Sequence, residues 1–192
     1  YREENKYYID ESNLDNLVFL DNGTQFVITS EKSGYMHLYL YDLNGRERQA
    51  ITKGNFDIID FYGYDPVRKL FYYSSYEESP LEKYIYSINE KGLKKKLTPV
   101  KGWNEASFSK NFNYYINVVS NTDTPPVTAL YNAKGKQVRV LEDNKAVKEA
   151  VKAYNLAKPE FIQIPAADGK TMLNAWIMKP VNQETGKKYP LL

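Results

Sequence analysis

Three apolar runs in this chain end on a serine, and the three serines lie 45 residues apart: Phe26-Val27-Ile28-Thr29-Ser30, Phe71-Tyr72-Tyr73-Ser74-Ser75 and Ile116-Asn117-Val118-Val119-Ser120. A unit of that length cannot bury a core alone and must stack on a neighbour. A period of roughly 40–50 residues filled with short β-like runs marks propeller blades. The 18 Tyr and 8 Phe agree with this, because aromatic side chains suit pleated, half-buried surfaces. The final residues, Lys187-Lys188-Tyr189-Pro190-Leu191-Leu192, open a further apolar run that is never closed. The chain therefore reads as a piece of a longer protein.

Turn residues punctuate each unit. In the first, residues 16–20 form a short apolar run and Asp21-Asn22-Gly23 a turn, followed by a strand over 25–30 and a turn over 31–34. A strand over 35–43 then places Tyr35, His37, Tyr39 and Tyr41 on one face and Met36, Leu38, Leu40 and Asp42 on the other, the alternation of a pleated strand. Asn44-Gly45 turns the chain into 47–52, and Lys53-Gly54 ends the unit. The second unit, 56–102, has turns at Asp65-Pro66 and Glu78-Ser79-Pro80, a long strand over 82–89, and Lys91-Gly92 leading into 94–98. The third starts near Trp103. Ser109-Lys110-Asn111 is its first turn and 114–120 a strand, with Pro125-Pro126 as a turn before 127–132, Lys134-Gly135 and 137–142. Four short antiparallel strands make one blade.

After residue 143 the period changes. Asn144 is placed to cap a helix carrying Ala146, Val147, Ala150, Val151 and Tyr154 on one face and Lys145, Lys148, Glu149 and Lys152 on the other. Pro159 ends it. A hairpin follows, 160–165 and 171–178 about Ala167-Asp168-Gly169, then a polar loop over 180–188 and a strand opening at Tyr189. The reading is a domain boundary near 143–158.

Composition narrows the function classes. A net charge of +2 carries no message about nucleic acid, and the densest basic run, Lys91 to Lys96, reads as a solvated hairpin face. The absence of cysteine removes disulfides, thiol nucleophiles and thiolate metal sites together. No apolar run approaches the roughly 18 residues of a membrane helix.

From Arg139 onward the residues meet a family. Val138-Arg139-Val140-Leu141-Glu142-Asp143-Asn144, the helix, Trp176-Ile177-Met178-Lys179-Pro180 and Lys187-Lys188-Tyr189-Pro190-Leu191-Leu192 resemble the dipeptidyl peptidase IV family of the prolyl oligopeptidase class. Upstream, Ser30-Glu31-Lys32-Ser33-Gly34-Tyr35-Met36-His37 and Ile51-Thr52-Lys53-Gly54 are similar to blades of that family. The resemblance implies an all-β arrangement: the last three blades of an eight-bladed propeller, then a linker helix and a β-hairpin beginning an α/β-hydrolase domain. The boundaries it gives are 10–54, 55–102 and 103–143 for the blades within a partial propeller of 1–143, with 144–192 as the junction. It implies that the intact protein is a serine exopeptidase releasing Xaa-Pro or Xaa-Ala dipeptides from peptide N-termini. Such a protein would be homodimeric, without nucleic-acid partner, cofactor or metal, and placed in a bacterial periplasm or cell envelope.

No residue here receives a catalytic role. The Gly-x-Ser-x-Gly elbow of such hydrolases is not found in the sequence, and the single histidine, His37, lies in a repeat strand. The family grips the substrate amine with paired glutamates, and Glu77-Glu78 is a local mimic read as a solvated turn. Ser30, Ser75 and Ser120 are read as strand ends, His37 as packed, and Asn22-Gly23-Thr24 as a turn ahead of a glycosylation sequon. Asp168-Gly169 is read as a turn and not a calcium loop, and Trp103 and Trp176 as core anchors. The alternative function is a β-propeller-like interaction module with no enzymatic activity. Three blades alone would leave open edges, so the isolated piece is expected to self-associate, with the 189–192 strand frayed.

Overall fold

The computed structural model describes residues 3–6, 8, 9, 16–20 and 23–190. Three four-stranded antiparallel sheets follow one another, each with its strands in chain order. The first holds β1 (Val18–Phe19), β2 (Gln25–Ser30), β3 (His37–Asp42) and β4 (Glu47–Ala50). The second holds β5 (Ile58–Asp65), β6 (Leu70–Ser75), β7 (Tyr84–Ile88) and β8 (Lys94–Lys96). The third holds β9 (Trp103–Phe108), β10 (Tyr114–Asn121), β11 (Thr124–Asn132) and β12 (Gln137–Glu142). Then come α1 (Lys145–Ala153) and a two-stranded hairpin of β13 (Pro159–Pro165) and β14 (Met172–Met178). The described residues of 1–121 and 126–143 make one compact unit, and those of 122–125 and 144–192 a second.

One local device closes all three sheets. Asp42, Asn89 and Asn132 each end or follow a third strand, and a glycine stands three residues later with φ of 75°, 80° and 77° at Gly45, Gly92 and Gly135. Each glycine N–H donates to the carbonyl of the Asp or Asn, at 3.0, 2.9 and 2.9 Å. The side-chain oxygens add their own bonds: Asp42 Oδ1 accepts from Asn44 N and Arg46 N, Asn89 Oδ1 from Leu93 N, and Asn132 Oδ1 from Lys134 N and Lys136 N. Asx side chains can mimic a backbone turn and glycine accepts positive φ, so this spacing dictates the hairpin.

Between the sheets lies the core. Val27, Leu38 and Leu40 of the first sheet pack with Tyr64, Phe71, Tyr73 and Tyr86 of the second. Tyr72, Ile85 and Leu97 of the second pack with Tyr115, Ala129 and Tyr131 of the third. All six residues of β3 are buried; both faces of this strand meet packed layers. Tyr35 stands outside the strand and is exposed.

The serine spacing conceals a one-residue slip. Leu20 N donates to Gln25 O, Asp65 pairs with Leu70, and Ser109 N donates to Tyr114 O, so Gln25, Leu70 and Tyr114 open equivalent second strands. Five residues on stand Ser30, Ser75 and Val119, all buried. Ser30 Oγ and Ser75 Oγ accept from Lys32 N and Glu77 N at 3.1 and 3.0 Å, one turn repeated. Ser120 sits one place further, facing the other way.

Other expectations are corrected. Pro125 and Pro126 lie inside β11 and not in a turn; the reversal falls at Thr122-Asp123. Pairing with β12 begins only at Thr128, so on that side the prolines forfeit no ladder bond. Asn144 makes no side-chain cap; at φ 51° it turns the corner into α1, and its carbonyl accepts from Lys148 N. Asparagine tolerates that left-handed geometry. The helix ends at Ala153 with Asn155 at φ 46°, and Pro159 opens β13 instead of ending α1. Tyr189 and Pro190 are not in a strand, Asp21, Asn22, Leu191 and Leu192 lie outside the described residues, and Gly23 turns at φ 60°.

Candidate functional site

The chemistry-bearing side chains gather where the sheets meet. Glu77 and Glu78 sit just past β6, held there by the Ser75 turn. The carboxylates diverge: Glu77 Oε2 pairs with Lys94 Nζ, while Glu78 takes Lys96 Nζ at 2.8 Å and the Tyr86 hydroxyl at 2.9 Å. The Lys96 bond, followed by that of Tyr86, holds Glu78 below the usual carboxylate range. Two carboxylates each matched to a lysine are not a free acidic pair. The basic run is likewise tied down and not merely solvated, because Lys95 Nζ between these two reaches the carbonyl of Lys134 at 2.7 Å. A cavity of about 370 Å³ lies beside the pair, bordered by Tyr35, Phe56, Asp57 and Tyr76.

His37, packed as expected, is a clamp. Its Nε2 lies 3.0 Å from the Gly54 carbonyl, which can only accept, so the proton is on Nε2. Its Nδ1 then accepts from the Thr52 hydroxyl at 3.0 Å, and Thr52 Oγ1 accepts from Leu38 N. Phe56 meets the ring edge-on at 5.2 Å. With both nitrogens engaged, the ring ties β3 to the link between the first two sheets. Thr98 repeats half of this clasp by accepting from Ile85 N.

A second cluster escaped the sequence reading. Lys83, only 5% exposed, opens the way into β7. Its ammonium lies 3.2 Å from Asp60 and 3.8 Å from Glu105, and 4.9 Å from the Trp103 ring. Burial alone would raise Asp60, but the Ser74 hydroxyl at 2.6 Å and the Lys83 charge outweigh it and hold the carboxyl low. Asn104, fully buried, donates to the carbonyls of Lys83 and Val100 and accepts from Asn117 Nδ2. The available signal was a lysine directly before the apolar run Tyr84-Ile85-Tyr86.

The tryptophans correct the reading as core anchors. Trp103 is 42% and Trp176 64% exposed. Asp168 is a turn residue: the Thr171 hydroxyl, then the N–H groups of Thr171 and Lys170, bond its carboxylate and lower it to about 2. Among the described residues, no three His, Cys, Asp or Glu side chains gather so as to hold a metal ion.

Residues 1–126 match the family described as dipeptidyl peptidase IV (DPP IV) N-terminal region. A crystal structure of Porphyromonas gingivalis dipeptidyl peptidase 4 superposes with a TM-score of 0.90 at 41% identity, covering 97% of this chain and 26% of that one. A putative dipeptidyl aminopeptidase IV from Bacteroides ovatus gives 0.76 at 26% identity, over 91% and 27%. A probable dipeptidyl peptidase 4 of Aspergillus flavus is 31% identical over 90% of this chain and 23% of its own length. The chain thus spans about a quarter of the relatives it matches.

Proposed function

Because the chain belongs to the dipeptidyl peptidase IV N-terminal region family, we propose that it is the propeller-to-hydrolase stretch of a serine exopeptidase. The intact protein would release Xaa-Pro or Xaa-Ala dipeptides from peptide N-termini and act as a homodimer. This stretch would shape the chamber without breaking a bond. The observation that carries the reading is the superposition of 97% of the chain on a dipeptidyl peptidase. In this reading Glu77, Glu78 and His37 are structural, which their lysine, threonine and carbonyl partners support.

The hairpin supports the hydrolase part. Phe161 pairs with Trp176 on one face, and Ile162 and Ile164 with Ala175 and Leu173 on the other. A sheet apolar on both faces is one covered on both sides, as in α/β folds, and two strands alone are marginal in water. Exposed apolar edges also favour self-association of the isolated chain.

The test is cleavage of a Gly-Pro chromogenic dipeptide. The expected outcome is turnover by the full-length polypeptide and none by the 192-residue chain. Turnover by the chain alone would overturn its non-catalytic role, and inactivity of the full-length polypeptide would favour an interaction module.

A further inference from the structure

From the fourth strand of each of the first two sheets a side chain crosses to the next sheet. Gln49 Nε2 donates to the carbonyl of Glu90 at 3.0 Å, and Lys95 Nζ to the carbonyl of Lys134 at 2.7 Å. Both acceptors lie in the turn between the third and fourth strands of the next sheet. Both donors also occupy one register position: Gln49 pairs with Leu40 and Lys95 with Ser87, two residues before Asp42 and Asn89. In the third sheet the residue paired with Leu130, two before Asn132, is Arg139. It too is a donor, with five N–H groups and no acceptor. It lies on the exposed strand β12, and its guanidinium makes no hydrogen bond or ion pair among the described residues.

The sheet face agrees. Two places into each second strand stand Val27, Tyr72 and Ile116; the first two are 0% exposed beneath the next sheet and the third is 39% exposed. From these repeats we infer that Arg139 is a clasp for a further β-blade of the same polypeptide. It donates to a main-chain carbonyl in that blade's third-to-fourth-strand turn, and the blade covers Ile116. The inference rests on the reading of this chain as part of a longer propeller.

Hydrogen exchange tests it, with Gln49→Met, Lys95→Met and Arg139→Met made both in the 192-residue chain and in the full-length polypeptide. Loss of one clasp should speed exchange of the nearby turn amides on the order of fivefold. Gln49→Met and Lys95→Met should do so in both settings, Arg139→Met in the full-length polypeptide only, and Arg139→Lys should restore protection there. A silent Arg139→Met in the full-length polypeptide, beside responsive Gln49 and Lys95 variants, overturns the inference. So does a concentration-dependent response in the 192-residue chain, which would make the occupant a second copy. A full-length structure without any further blade would instead sink the propeller reading itself.

Discussion

Tyr73 and Tyr115 are sealed almost equally, at 0% and 1% exposure, but their hydroxyls differ. Tyr115 donates to the carbonyl of Leu97 at 3.1 Å, while the Tyr73 hydroxyl is buried without a partner, as is Glu77 Oε1. Removing a satisfied buried hydroxyl forfeits a bond, whereas removing an unsatisfied one relieves a desolvation cost. Tyr115→Phe should therefore lower stability by about 1 kcal/mol, and Tyr73→Phe should leave it unchanged or raise it, by urea denaturation. A sequence shows that both are tyrosines in apolar runs. It does not show which hydroxyl finds a carbonyl, because Leu97 is contributed by a different sheet. The same blindness hid Lys83, whose carboxylate partners come from β5 and β9. Glu77 and Glu78 read in the sequence as a solvated turn, and the lysines that neutralise them as mere surface, because the two segments meet only across the sheet.

Among the elements, α1 and the β13–β14 hairpin belong to the second compact unit. No residue of α1 is buried, its first turn has no acidic residue, and its start lacks a side-chain cap. Helices take most of their stability from packing an apolar face. In the 192-residue chain, amides of α1 should exchange within the fast regime of fraying segments, and those of β6 and β7, buried but for Leu70, near the global limit. Equal protection of α1 and β6 would contradict this. Element types and most strands were legible, because Asn44-Gly45, Lys91-Gly92 and Lys134-Gly135 mark turns by local chemistry. Pro125-Pro126 misled because proline's cost depends on whether a neighbour needs its N–H, a property of β12's length and not of the dipeptide. Asn144 misled because capping and left-handed turning both favour asparagine. The serine period misled by one residue, since an apolar run does not announce which face it turns inward.

For the whole molecule the buried phenols set an alkaline limit. Burial, with Asp65 adding, pushes Tyr72 up to about 12, and burial raises Tyr73, Tyr86 and Tyr115 further. A raised phenol is held in its neutral form by the fold, so its contribution is complete below the ordinary tyrosine value of about 10. As pH rises through that value the unfolded chain ionises first and stability falls. The urea midpoint should therefore drop steadily above about pH 10, with phenolate absorbance near 295 nm appearing together with unfolding. Phenolate signal from these residues before unfolding would refute the argument. The clasps at Gln49 and Lys95 have one more consequence. Their acceptors are peptide carbonyls, carried by a glutamate in one case and a lysine in the other. Any amino acid can supply that oxygen, so the receiving turn is free to drift in identity while the seam stays shut. Kinship between wedges of this kind is thus written in spacing and hardly at all in letters.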